Sequence, residues 1–326
     1  MKRRTFIQAS LGLGVQFSSE ASPSLHWQTL VFNGLGTVLS IKAAHVNAEK
    51  LAEALQAVRA AVEHVEDHMS LFKTTSAINQ LNREGELLKP HEDLLRVLKV
   101  SQYISLHSGG AFDITVQPLW NLYTMAKQEG SLPTHAEIQT TRQQVGWDRL
   151  HLSKQKVAFN RPGMSITLNG IAQGFASDRV REVLQRYGVK HALINTGEWS
   201  ALGQAEGGRN WMLGIADPHH MGRVMARWPM IGGCVATSAD DQCTFSADRR
   251  HHHIFDPATG YSPNDVSSVT VVANTCTQAD ALTKVLFVGG YKKALVLAKN
   301  WQVQALVVHK NGDYKATPLL LRQLMT

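Results

Sequence analysis

The most definite chemistry in this chain sits near its C-terminal end. Asp280 and Thr283 are three residues apart, a spacing that puts a carboxylate and a hydroxyl on one face of a helix. Such oxygen donors suit a hard cation like Mg²⁺ beside a phosphate ligand. An N-terminal helix cap uses the same residue types, and local spacing weighs the two readings evenly. His251, His252 and His253 invite a metal reading too. Consecutive residues of a strand point to opposite faces, so the run reads better as one functional histidine among solvated ones than as a dedicated cage.

Four other segments hold polar residues where apolar ones would be expected. Leu168 to Asp178, which includes Asn169, Gly170 and Ala172, puts glycine at a strand-to-helix junction. Amides exposed at a helix start, with no Cβ in the way, form a phosphate or carboxylate site. The segment is neither a GxGxxG fingerprint nor a P-loop. Gly110 to Trp120 contains Ala111, Phe112 and Asp113; taken alone it is a turn leading into a strand, with Asp113 bonding local amides. Asn195 to Trp199 follows an apolar strand and reads equally as a plain turn. Ala236 to Asp240 completes the set.

These residues need elements to hold them. Thr29 to Ala43 alternates polar and apolar around Gly34 and Gly36, the pattern of a hairpin. Asn47 can cap a helix whose apolar stripe runs Leu51, Leu55, Val58, Val62, Val65, Met69. A second helix is predicted over Glu92–His107, ending at Gly109-Gly110. An exposed loop is expected over 123–135, then a helix near 135–145, strands at Lys156–Phe159 and Ser165–Leu168, and a helix from Gly170 to about Tyr187. The apolar run His191–Asn195 reads as a strand, and strand-like runs dominate from 211 onward: Trp211–Ile215, Ser267–Ala273 and Val303–His309. Asp280–Leu286 and Lys292–Lys299 supply the last helices. The predicted fold class is α+β, mixed sheets covered by helices.

With 326 residues, 44% hydrophobic and 18% charged, the chain has the composition of a packed globular protein, which excludes disorder over most of its length. The net charge of +7 includes Lys2, Arg3 and Arg4, without which it is +4. The remaining cations are scattered, so no nucleic acid is expected as a partner. Arg3-Arg4-Thr5-Phe6-Ile7, followed by the apolar stretch Ala9 to Phe17, resembles a twin-arginine export signal. The stretch is too short and polar to span a bilayer. Residues 1–25 are therefore expected to be an export signal and linker, read by the twin-arginine machinery and leading to the periplasm, with the signal as a tether at the inner membrane if it is not cleaved. Cys234, Cys243 and Cys276 leave at least one thiol unpaired and have no C-x-x-C spacing. They read as small buried hydrophobes.

Taken in order, the segments resemble the FAD:protein FMN transferase (ApbE) family, over nearly all of the chain after residue 30. Asn33-Gly34-Leu35-Gly36-Thr37 is similar to the family's M-G-T strand, with Leu for Met. Met69-Ser70-Leu71-Phe72 through Ser76 to Asn82 is similar to its S-x-(F/Y)…S-x-(I/L)-x-x-L-N stretch, and Gly110 to Val116 to G-x-F-D-x-T-V. Ile171-Ala172-Gln173-Gly174-Phe175 through Asp178 resembles I-A-K-G-(Y/F)-A-x-D, and His252 to Gly260 resembles H-H-I-x-D-P-x-T-G. The resemblance implies an ApbE-like flavin-binding fold over 26–326 and a reaction in which FMN moves from FAD to a Thr or Ser hydroxyl of a partner protein while AMP leaves. It implies Mg²⁺ held by Ala172, Asp280 and Thr283, with His253 as the base acting on the acceptor hydroxyl. It also implies a flavin and adenine pocket built from Leu35, Phe72, Ala111, Phe112, Asp113, Asn169, Gly170, Asp178 and Ile254. The acceptor would be a separate membrane or secreted redox protein that becomes a covalent flavoprotein.

Departures from the pattern concentrate where phosphate and metal would bind. The family's Asp-x-x-x-Thr has Lys284 in its last position, its I-A-K-G lysine is Gln173, its Asp before L-G is Thr167, and its T-S-G glycine is Ala239. A lysine there could replace the metal's charge, or Thr283 could still reach the ion. Two alternatives to the active transferase follow: a catalytically weak paralogue acting as a periplasmic FAD-binding or flavin-donor protein, and a metal-binding module using His251–His253.

Overall fold

The computed structural model describes residues 24–324 apart from residues 221 and 231. The export signal expected over 1–25 therefore lies almost wholly outside the described residues. The chain opens with a hairpin, β1 (His26–Gly34) and β2 (Thr37–His45), followed by α1 (Ala48–Met69), α2 (Ala77–Glu84), β3 (Glu86–Leu88) and α3 (Glu92–His107). A short 3₁₀ turn leads into α4 (Gln117–Gln128) and α5 (His135–Arg142), then β4 (Leu150–Leu152), β5 (Lys156–Phe159) and α6 (Ala172–Arg186). Strands β6 (His191–Asn195), β7 (Trp199–Leu202), β8 (Trp211–Ala216), β9 (Val224–Met230), β10 (Cys234–Ala239) and β11 (Val266–Ala273) come next. The chain closes with α7 (Cys276–Asn300), β12 (Gln304–His309), β13 (Tyr314–Ala316) and α8 (Pro318–Leu324).

One eight-stranded sheet, in the order β1-β2-β6-β7-β10-β11-β12-β13, forms the centre. Helices α1, α6 and α7 cover one face. Their buried positions, such as Leu51, Val58 and Val62 of α1 and Val180 and Leu184 of α6, join Leu39, Ile41, Val269 and Val271 of the sheet in the main core. The β8–β9 hairpin and α8 cover the other face through Trp211, Leu213, Trp228 and Leu320. Burial in β8 alternates residue by residue, as one-sided packing requires. In β11 seven of the eight residues are buried, as in a strand covered on both faces. A third cluster, including Leu119, Tyr123, Ile138 and Phe255, joins α4 and α5 to the segment after β10.

The hairpin, the Asn47 cap and the helix over Glu92–His107 agree with expectation. The two predicted C-terminal helices are one segment, α7, broken at Gly290 (φ 77°). Two expectations fail. Much of the loop expected over 123–135 is helix, because Tyr123 and Ala126 extend the apolar face begun by Leu119. Ser165–Leu168 is no strand: Asn82 takes both backbone groups of Ile166 with its side-chain amide (2.7 and 2.8 Å), and a side chain thereby replaces a neighbouring strand.

The cysteines also differ from expectation. Cys234 and Cys276 are buried but bonded to each other as a disulfide, while Cys243 is free. Spacing did not reveal this, because the partners are 42 residues apart and meet only once β10 lies against the start of α7. A bridge closing a loop of that size contributes about 2–4 kcal/mol. Cys276→Ser is expected to lower the thermal unfolding midpoint under non-reducing conditions and to abolish the shift that dithiothreitol produces in the wild type. Equal midpoints for the two proteins would refute this account.

Candidate active site

A cavity of about 470 Å³ opens beside the N-terminus of α6. The β1–β2 turn, the end of α1, the loops before α4 and α6, and the segments around β10 and His253 all contribute to its wall. Leu35, Phe72, Ala111, Phe112, Asp113, Asn169, Gly170, Ala172, His253 and Ile254 line it, so the fold brings together residues that were candidates on separate segments. Leu35 adopts a left-handed conformation (φ 52°) and donates its N–H to Glu66 at 2.8 Å. Next to it Gly36 (φ 76°) lies against the Phe72 ring, which a Cβ would approach to 2.8 Å. Phe72 itself is 70% exposed at the cavity mouth.

Asp178 falls outside this wall. Its carboxylate accepts hydrogen bonds from the amides of Cys276 and Thr277 (2.8 and 2.9 Å) and from the Thr277 hydroxyl, which ties α6 to the start of α7. Three of the amides expected to face an anion after Gly170 are also committed elsewhere. Those of Ile171 and Ala172 donate to the Leu168 carbonyl, and that of Gly174 donates to Asp280. The chain turns tightly before the helix, so these three donors are consumed internally.

Asp280 and Thr283 lie in the interior of α7, whose cap is Thr275; the capping alternative therefore fails. Asp280 is fully buried and Thr283 equally so. One Asp280 oxygen accepts the Gly174 N–H at 3.0 Å and the other pairs with the Lys284 ammonium. Thr283 donates to the Asp280 carbonyl and shares a hydrogen bond with Ser238 at 2.7 Å. With an ammonium on the carboxylate and the hydroxyl engaged twice, this donor set does not fit a divalent cation. Lys284, which lines the cavity, places its ammonium on the Asp280 carboxylate.

Glu198 is the functional candidate given no role by the sequence. It lines the cavity, is buried, and accepts the Thr237 N–H at 3.2 Å. Burial, and then the nearby Asp280 charge, push its pKa well above the ordinary carboxylate range, against the pull of Lys284. An acid between Gly197 and Trp199, at the end of an apolar strand, was the available signal, and a surface turn has the same pattern. Asp113 is also buried, which raises its pKa to about 6. Its oxygens accept from Thr115 N and Oγ1 (both 2.7 Å) and from Trp147 N (3.0 Å).

Of the three consecutive histidines, only His253 lines the cavity. Its Nδ1–H faces the Cys243 carbonyl at 3.3 Å, which leaves Nε2 as the acceptor. Its neighbours are not solvated as expected: His252 is fully buried against Phe287, with Nε2 donating to the Pro263 carbonyl at 3.0 Å, and His251 packs beside Tyr123. The three rings diverge and form no metal cage. Burial lowers the pKa of both His252 and His253 to about 4, and Lys284 adds to the effect on His253.

A cavity at the joint of two helices and a sheet in a mixed α+β body is the usual setting of a small-molecule site. The family of the chain follows from comparison. The ApbE family matches residues 35–307, and the chain belongs to that family. It is 30% identical over 280 residues to a FAD:protein FMN transferase of Haemophilus influenzae, covering 81% of this chain and 80% of that one. It is 29% identical over 260 residues to the FAD:protein FMN transferase of Vibrio cholerae, covering 77% and 78%. Its fold is similar to the crystal structure of an ApbE protein from Thermotoga maritima, with a TM-score of 0.82 at 26% identity over 91% of this chain and 99% of that one.

The buried histidines make stability depend on pH. Both rings have folded pKa values near 4, against about 6.5 in an unfolded chain. Between those values the unfolded chain binds protons that the folded one does not. Their contribution is thus fully present above pH 6.5 and is lost as pH falls towards 4, at no more than about 1.4 kcal/mol per pH unit for each ring. Urea titrations at pH 6.5, 5.5 and 4.5 should show stability falling, and His252→Gln should reduce the slope by about one proton. A slope unchanged by that substitution would contradict the assignment.

Proposed function

We propose that this chain transfers FMN from FAD to a Thr or Ser hydroxyl of a separate acceptor protein, with release of AMP. The observation that carries this reading is the convergence of His253, Lys284 and the Phe112-Asp113 segment on one cavity. In the reaction the acceptor oxygen attacks the phosphorus of the FMN half, the bond from that phosphorus to the AMP oxygen breaks, and the hydroxyl proton passes to His253 Nε2. A ring with a pKa near 4 is unprotonated at neutral pH but a weak base. Phosphoryl transfer through a loose transition state demands little more, since the nucleophile must mainly be positioned and the charge stabilised. Phe72 at the mouth offers a face for an aromatic ring, and Asp113 holds the Thr115 and Trp147 backbone that shapes the wall.

Where the family resemblance implies Mg²⁺, Lys284 supplies the positive charge beside Asp280. The same ion pair supports a second reading, a flavin-binding donor protein that transfers slowly. One assay separates them: purified protein, FAD and a Thr-bearing acceptor, followed by the acceptor's mass and covalent flavin fluorescence. Labelling is expected to persist in EDTA, to fall roughly 100-fold in His253→Ala, and to become Mg²⁺-dependent in Lys284→Thr. Labelling abolished by EDTA in the wild type refutes the lysine reading. Bound FAD that stays intact with every acceptor favours the donor protein.

We also propose that the protein works in the periplasm on a membrane or secreted redox protein, exported by the twin-arginine machinery and tethered at the inner membrane if its signal is retained. The Arg3-Arg4 pair supports this, as does the Cys234–Cys276 disulfide, since such bonds persist in oxidising compartments. Changing Arg3 and Arg4 to Lys together is expected to hold the protein in the cytoplasm on fractionation; unchanged export would refute the assignment.

A further inference from the structure

Away from the cavity, three histidines converge at the end of α1. His64 and His68 are one turn apart in its last two turns, and His91, which caps α3, completes a triangle. The ring centroids are 4.5, 4.4 and 4.7 Å apart, and one donor nitrogen from each ring lies within 4.8 Å of the other two. All three residues are half-buried, so solvent reaches the cluster. Three imidazoles this close cannot all be charged without mutual repulsion. Burial and the other two rings accordingly lower the His64 pKa, against the opposing pull of Asp93.

The hydrogen bonds around the cluster prepare ligands rather than satisfy them. His68 Nδ1–H donates to the His64 carbonyl at 2.8 Å, which leaves Nε2 with its lone pair. His64 Nε2 faces Asp93 Oδ2 at 3.3 Å, which leaves Nδ1. Carbonyl and carboxylate partners of this kind orient metal-bound histidines. His91 is the ring that must move, because its Nδ1 accepts the Asp93 N–H at 3.1 Å. Metal–nitrogen bonds of about 2.0–2.1 Å in a tetrahedron set the nitrogens roughly 3.4 Å apart, so closing the triangle takes only side-chain rotation. The negative end of the α1 dipole lies at the same place and favours a cation.

We propose that His64, His68 and His91 form a site for a borderline divalent transition metal, of the zinc class, that cross-links the end of α1 to the start of α3. Imidazole nitrogens select such ions over Mg²⁺ and Ca²⁺, which separates this site from the phosphate chemistry of the cavity. Met69 and Ser70, which directly follow His68, line that cavity. The metal therefore braces its rim.

The test is calorimetric titration of the full-length, EDTA-stripped protein with ZnCl₂. One equivalent is expected to bind with micromolar affinity, unaffected by millimolar MgCl₂, and to raise the thermal midpoint. His68→Ala should weaken binding at least tenfold, while His251→Ala, in the other histidine run, should leave it unchanged. Absence of saturable binding below millimolar Zn²⁺, full affinity in His68→Ala, or loss of binding in His251→Ala overturns the proposal. Should His68→Ala not fold, X-ray absorption at the zinc edge of the wild type decides the matter: three imidazoles per zinc support the site, and fewer overturn it.

Discussion

A carboxylate with no exposed surface must be matched, and the matching of Asp280 organises the site. An unpaired charge at that depth would cost several kcal/mol; the Gly174 amide and the Lys284 ammonium each take one of its oxygens. Those partners come from different helices, so satisfying Asp280 locks α6 to α7. The helices can approach that closely only because residue 174 is glycine: a Cβ there would come to 2.2 Å from the Cys276 carbonyl. Asp178 capping α7 and the Cys234–Cys276 bridge to β10 fix the same seam from its other end. The cavity wall made by Lys284, Glu198 and Thr237 is the exposed side of this seam.

Much of this was legible in sequence, for reasons visible in single residues. The stripe from Leu51 to Met69 specifies a helix because each member is buried, and β8 alternates because one of its faces meets solvent. The order of polar segments located the cavity, although His253, Asp113 and Asn169 all sit in turns and loops between the regular elements. What stayed hidden depends on contacts between distant residues. Asn82 replacing a strand beside Ile166, Cys234 meeting Cys276, and His91 meeting His64 and His68 have no local signature. Asp178 shows the converse case. Its position in a recognisable segment pointed to ligand binding, yet the helix start it caps begins 98 residues later in the chain.

The histidine run makes the same point about environment. Three identical side chains in sequence have three different surroundings: Tyr123 beside His251, Phe287 against His252, and the cavity for His253. Residue type supplied the ability to accept a proton, but burial set how readily each accepts one. A reference imidazole titrates near 6.5, whereas His253 is held near 4 by desolvation and by cationic Lys284. Its basicity thus depends in part on the charge that Asp280 holds in place.

The Lys284–Asp280 pair also sets the charge balance that any phosphate ligand would meet. A Mg²⁺ on Asp280 would leave a net +1, whereas the Lys284–Asp280 pair is neutral and Glu198 beside it is driven towards its protonated form. The wall is one positive charge poorer than its metal-bound equivalent. A ligand carrying phosphates can recover that difference in two ways. Lys284, on a flexible stem with its ammonium at the cavity surface, can shift from Asp280 towards the ligand, or Glu198, whose pKa is raised by burial and by Asp280, can take up a proton. Both routes couple binding of an anion to the same buried carboxylates, because in a low-dielectric wall an uncompensated charge is too costly to leave alone. The helix seam and the chemistry of the cavity therefore respond to a single charge, that of Asp280.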